Sequence, residues 1–137
     1  MRVAVVYIAG RDRNRLVEIT RSLARGIESQ GHHVDIIDGE RDINAKLTMY
    51  NYLAVGTSSV TAWGGKIPDH VSTFLSNSGI VVGKRSFAYI VKSGLRVTRT
   101  LTRLMRGMEQ EGMYLKNSEI LSSPGEAEEI GKRLHLV

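Results

Sequence analysis

The chain contains no cysteine, which excludes a disulfide framework, a thiolate metal site and a cysteine nucleophile. No apolar run approaches the ~20 residues of a membrane span. The start, MRVAVVYIAGRDR, turns charged too soon to read as a secretory signal. The expectation is a soluble, cytoplasmic protein with no membrane partner. Internal repeats, low-complexity stretches and linkers are missing as well. With 42% hydrophobic and 24% charged residues, usage is that of an ordinary globular chain, so wholesale disorder is set aside. The 137 residues suit a single domain over 1–137. The four histidines, His32, His33, His70 and His135, form no H-x-x-x-H pair. With no carboxylate cluster and no Ser-His-Asp set, metal and hydrolase chemistry are set aside.

Positive charge is what the chain has in excess, with a formal net of +5 and a pI near 9.7. Such a surface attracts anionic cofactors, acidic proteins or nucleic acid. Many small proteins are basic without binding any of these, so the distribution of the charge decides more than its sum.

Residues 2–8 are an apolar, β-branched run, as in a strand buried on both faces of a parallel sheet. Leu16, Thr20, Leu23, Ala24 and Ile27 then share one helical face, closed by Gly31. Residues 33–38, HVDIID, read as a second strand. The stretch 39–51 is weakly patterned, with a short helix expected around 45–50. Residues 52–56 make a third strand. Pro68 suits the first turn of the next helix, whose face carries Ile67, Val71, Phe74, Leu75 and Ser78. Residues 80–82 are expected to pack in the turn back to a fourth strand at 86–92. Val97, Leu101, Leu104, Met105 and Met108 mark a long amphipathic helix closed by Gly112. A fifth strand falls within 113–121. A terminal helix at 124–134 has acidic residues first and Lys132-Arg133 last, matching the helix dipole. Strands alternating with helices predict a doubly wound five-stranded parallel α/β sheet.

In such sheets ligands bind at the carboxyl ends of the strands. The loops concerned are 9–14, 57–66 and 93–98. The middle one is the most informative: LAVGTSSVTAWGGKIPDHVSTFL, residues 53–75, offers hydroxyls, backbone N–H groups and the only tryptophan. That set suits a planar, polar heterocycle.

The order of elements and this phrase resemble the flavodoxin-like family of FMN-binding electron-transfer proteins and quinone reductases. The opening VAVVYIAGRDRNRLVEITRSLARGIESQGHHVDIID is similar to the family's first βαβ unit. The resemblance covers nearly the whole chain and implies strand order 2-1-3-4-5. It also implies an FMN whose phosphate sits in the first loop, at a helix N-terminus, served by Ala9, Gly10, Arg11, Arg13 and Asn14. Thr57, Ser58, Ser59, Thr61 and Trp63 would flank the isoalloxazine from the second loop, with Ser93 and Gly94 from the third. The flavin would carry electrons to or from a partner, and no side chain need act as acid or base.

The first loop departs from the family. Its usual Ser/Thr hydroxyls are absent, and Asp12 stands where a glycine is usual. An acid beside a phosphate dianion is unfavourable, although Arg11 and Arg13 could compensate by charge-assisted bonds. A flavodoxin-like domain without flavin, acting as a binding or regulatory module, is the alternative. A phosphoacceptor receiver domain fits poorly, since Gly10 and Gly56-Thr57 stand where it needs acids.

Arg96, Arg99, Arg103 and Arg106 form one stripe, opposite the apolar face of the same helix, and Lys84, Arg85 and Lys92 add charge to this half. A solvated face is the ordinary reading. The functional one is docking to an acidic redox partner or, by phosphate neutralisation, to nucleic acid. Aromatics are not interleaved with the arginines, so the sequence by itself does not favour nucleic acid.

Overall fold

With valine, alanine, isoleucine or tyrosine at every position from 3 to 8, the first strand has no face to offer water. The computed structural model, which describes all 137 residues, buries it inside the sheet, between two other strands, as β1 (Arg2–Ile8). Around it are β2 (His33–Asp38), β3 (Tyr52–Thr57), β4 (Arg85–Val91) and β5 (Tyr114–Leu121). All pairings are parallel and the order is β2-β1-β3-β4-β5, as expected. Four helices cover the two faces: α1 (Arg13–Glu28), α2 (Asp69–Ser76), α3 (Val97–Gln110) and α4 (Pro124–Arg133).

Alternate residues of each central strand feed opposite layers. Val3, Val5, Tyr52, Ala54, Phe87 and Tyr89 pack under α1 and α4. Ala4, Val6, Leu53, Val55, Ala88 and Ile90 pack under α2 and α3.

The first layer depends on a close helix crossing. A Cβ on Gly26 of α1 would lie 2.2 Å from the Glu128 carbonyl oxygen of α4, and one on Gly131 would lie 2.4 Å from that of Leu23. Only glycine on both helices allows this approach, which brings Ala127 and Leu134 into the core.

Two expectations are corrected. Residues 45–50 form no helix: the connector 39–51 is a run of turns. It has no helical period of apolar residues, and its one fully buried hydrophobic side chain is Leu47. The Leu47 N–H donates to the Ser78 carbonyl at 2.7 Å. Lys84 Nζ also donates to the carbonyls of Thr48 and Tyr50, at 2.8 and 2.7 Å. In residues 80–82 only Val81 is buried; Ile80 and Val82 face solvent.

Four tyrosines, Tyr7, Tyr50, Tyr52 and Tyr89, have raised pKa values and carry a pH dependence. Tyr52 is fully buried and its hydroxyl has no hydrogen-bond partner; burial pushes its pKa up to about 12. Burial, then the Asp35 carboxylate that accepts the Tyr50 hydroxyl at 2.6 Å, pushes Tyr50 up to about 12 as well. A raised pKa means the fold favours the neutral phenol. This contribution is intact below the ordinary value of 10.0 and is lost as pH rises towards 12. Urea midpoints are expected to fall over that window. Tyr52→Phe removes an unsatisfied buried hydroxyl and is expected to raise stability by about 1 kcal/mol at pH 7 while flattening the alkaline loss. An unchanged alkaline slope would contradict the assignment.

Candidate functional site

The parallel register sets the carboxyl ends of β1, β3 and β4 side by side, with Ile8 opposite Thr57 and Thr57 opposite Ile90. The three loops therefore meet at one edge, as a ligand site requires. There they bond to one another. Thr57 Oγ1 donates to the Ile8 carbonyl at 2.5 Å. Ser58 Oγ accepts the Gly10 N–H at 2.9 Å and donates to the Arg11 carbonyl at 2.6 Å. The Arg11 N–H donates to the Ser59 carbonyl at 2.9 Å. Ser59 Oγ serves Thr61, donating to its carbonyl and accepting its N–H. Thr57, Ser58 and Ser59 are all buried. These three of the five hydroxyls that the sequence offers to a ligand are turned inward; Thr61 and Ser93 are half-buried.

The third loop closes onto both others. Ser93 Oγ donates to Asp12 Oδ2 at 2.7 Å. The Leu95 N–H donates to the Ala62 carbonyl at 2.9 Å, and a Cβ on Gly94 would lie 2.4 Å from that same oxygen. The Gly65 N–H donates to Thr100 Oγ1 at 2.8 Å.

Asp12 is the N-cap of α1, in the left-handed region at φ 55°, and its side chain makes no cap hydrogen bond. It holds the conformation that a glycine takes without strain, but the carboxylate is spent on Ser93. Arg13 points elsewhere: its guanidinium bonds Asp38 at 2.7 Å and lies over the Tyr7 ring. Burial of Asp38 opposes its ionisation. The Arg13 guanidinium and the N–H groups of Glu40 and Arg41 outweigh this and hold the carboxyl below its usual range. Asn14 is exposed in the first turn of α1, Arg11 is exposed without an ion pair, and Ala9 and Gly10 are half-buried.

Arg15 is a residue that sequence reasoning passes over. It donates to the carbonyls of Lys92 and Ser122, at 2.6 and 2.7 Å. It thereby clamps the start of α1 to the ends of β4 and β5. Nothing in the sequence separates it from the other basic residues.

Two open grooves flank the closed loops. One, of about 390 Å³, touches Ala9, Gly10, Arg11, Glu40 and His70. The other, of about 380 Å³, is lined by Val60, Lys66, Ile67, Asp69 and Arg103. Neither is lined by Thr57, Ser58, Trp63, Ser93 or Gly94.

Solved structures of similar shape identify the architecture. Flavodoxin 1 of Bacillus cereus superposes with a TM-score of 0.68 at 14% identity, over 98% of this chain and 100% of its own. The fold is the flavodoxin fold. A flavodoxin from the domain Archaea matches at 0.66 and 17% identity, covering 96% of this chain and 94% of that one. A short-chain flavodoxin associated with a bacterial microcompartment matches at 0.69 and 14%, covering 96% and 93%. No protein-family model matches the sequence, and neither does any curated protein. At these identities the likeness carries the flavodoxin fold and leaves the chemistry to the loops.

The first loop departs from the usual cradle for a flavin phosphate. The N–H groups of Gly10 and Arg11 are bonded within the protein, no hydroxyl lies in residues 9–14, and a carboxylate stands at the helix start. On the ring side, the second and third loops are zipped together between Ala62 and Leu95.

A different surface is left without partners. Arg96, Arg99, Arg103 and Arg106 are exposed on α3, with Thr98 and Thr102 between them. Seven ion pairs form in the chain and none involves this helix. No acid lies in its first turn, so its positive dipole end adds to the charge. Among the exposed residues at its start is Leu95.

Proposed function

We propose that this chain is a docking module built on the flavodoxin fold, working without flavin, and that its contact surface is the arginine face of α3. The observation that carries this reading is the contrast between two surfaces. At the carboxyl edge the hydroxyls of Thr57, Ser58, Ser59 and Ser93 and the N–H groups of Gly10 and Arg11 bond within the protein, whereas along α3 four guanidiniums have no carboxylate within ion-pair distance. Unpaired arginines on one rigid helix attract polyanions and steer their approach.

An FMN-dependent electron carrier is the second reading, with the α3 face receiving an acidic redox partner. It is favoured by the likeness to flavodoxins and by the left-handed turn at Asp12, which keeps the backbone shape a glycine would adopt there. Absorbance and FMN fluorescence separate the two. The purified protein is expected to be colourless and to leave the fluorescence of micromolar FMN unquenched. A yellow protein, or saturable quenching, would overturn the flavin-free reading in favour of the redox one.

A further inference from the structure

We infer that the α3 arginine face and Trp63 together bind an unpaired nucleic-acid strand. The inference rests on the docking reading above and names its partner. In the sequence Trp63 stands more than thirty positions from the arginines. The fold closes that gap. A Cβ on Gly64 would lie 1.8 Å from the Leu95 carbonyl oxygen and 3.2 Å from Arg96 Cβ. The chain at Gly64 therefore lies directly on the start of α3, and Trp63, 68% exposed, stands beside it. A Cβ on Gly65 would in turn lie 2.8 Å from Arg99 Cδ. An aromatic platform sits at one end of the basic stripe.

The stripe itself has the chemistry of a phosphate track. An open groove of about 840 Å³ is lined only by Arg96, Thr98, Arg99, Thr102, Arg103 and Arg106. Guanidinium forks match phosphate oxygens bidentately; Thr102 Oγ1 already donates to the Thr98 carbonyl at 2.9 Å, which leaves the Thr98 hydroxyl as the groove's further phosphate donor. From Arg96 to Arg106 the helix advances about 15 Å, at ~1.5 Å per residue. That length suits several consecutive phosphates.

An acidic polypeptide is the less favoured occupant. Protein interfaces centre on buried apolar or aromatic anchors, and the middle of this face has none. A duplex is also less favoured, because its base faces are stacked and leave Trp63 without a role. An unpaired strand uses both features, with its backbone along the arginines and a base on the indole.

Fluorescence anisotropy tests this with labelled 12-nucleotide single-stranded DNA and RNA, a 12-base-pair duplex and poly-glutamate. Single strands are expected to bind at micromolar concentration. With four phosphates neutralised, affinity should fall about 50-fold between 50 and 200 mM salt, from a slope of about −0.7 per contact. Arg99→Glu combined with Arg103→Glu is expected to weaken binding at least ~100-fold, since two attractions become repulsions. Trp63→Ala should cost single strands about 10-fold and the duplex nothing. These positions are exposed, and circular dichroism checks that the variants stay folded. Binding of poly-glutamate alone would overturn the nucleic-acid inference and leave the docking reading standing. Binding of neither polyanion would overturn both. Equal binding of duplex and strand, unaffected by Trp63→Ala, would overturn the unpaired-strand assignment.

Discussion

Replacing Gly26 with alanine is expected to lower the melting temperature by about 10 °C, a loss of about 3 kcal/mol in a chain of this length. The added methyl would lie 2.2 Å from the Glu128 carbonyl oxygen and 2.9 Å from Gly131 Cα, so backbone must move. The helix that has to yield is α4, and with it Ala127, Leu134 and Leu136 lift from the layer they share with α1 and β1. Intrinsic helix propensity acts in the opposite sense, favouring alanine over glycine by about 1 kcal/mol in a helix interior. The sign of the change is therefore diagnostic. Thermal unfolding followed by circular dichroism decides it, and a melting temperature that rises would mean the crossing is looser than described.

Ser58→Ala is expected to cost about 2 kcal/mol, or about 7 °C, although it deletes one oxygen. That oxygen accepts the Gly10 N–H and donates to the Arg11 carbonyl, so its loss leaves two groups of the first loop without partners. Burial makes the loss expensive, because water does not reach the Ser58 side chain. Ser59→Ala is the matched control. Its hydroxyl bonds only half-buried Thr61, two residues on, whose carbonyl also accepts the Gly64 N–H at 3.2 Å. One group rather than two loses its partner, so a loss under about 1 kcal/mol is expected. Were Ser58 a ligand hydroxyl waiting for a flavin ring, its removal would leave the stability of the ligand-free protein almost unchanged. Chemical denaturation of the two variants reads the difference directly.

The elements that the sequence announces are those in which local pattern and burial agree. The β-branched run at 2–8 and the apolar face from Leu16 to Ile27 both read directly as strand and helix. The same holds for the α3 face and the polarity of α4. The connector 39–51 was illegible because it is held by tertiary contacts, chiefly Leu47 to Ser78 and Lys84 to two carbonyls. No periodicity records such contacts. The α1–α4 crossing was hidden for a similar reason: Gly26 and Gly131 lie 105 positions apart, and neither looks unusual in its own helix.

The site divides along the same line. That loops 9–14, 57–66 and 93–98 gather at one edge follows from strand order, and the sequence sufficed for it. Where their hydroxyls point does not follow from residue type. Ser58 and Ser93 read as ligand donors, yet they bond Arg11 and Asp12. Asp12 was the one audible warning, since an acid at a helix start repels a phosphate and, as it proves, can occupy a neighbouring hydroxyl instead. The nearness of Trp63 to Arg96 needed the fold, because it depends on Gly64 meeting Leu95.

Amide spectra of the ¹⁵N-labelled protein, recorded as FMN is added, address the closed carboxyl edge residue by residue. If Gly10, Arg11, Gly65 and Leu95 donate within the protein, their N–H groups should exchange slowly with solvent. Their shifts should also stay unmoved by a tenfold excess of FMN, roughly the level that would saturate a micromolar site. Rapid exchange at these four amides, with shifts that saturate as FMN is added, would contradict a flavin-free carboxyl edge.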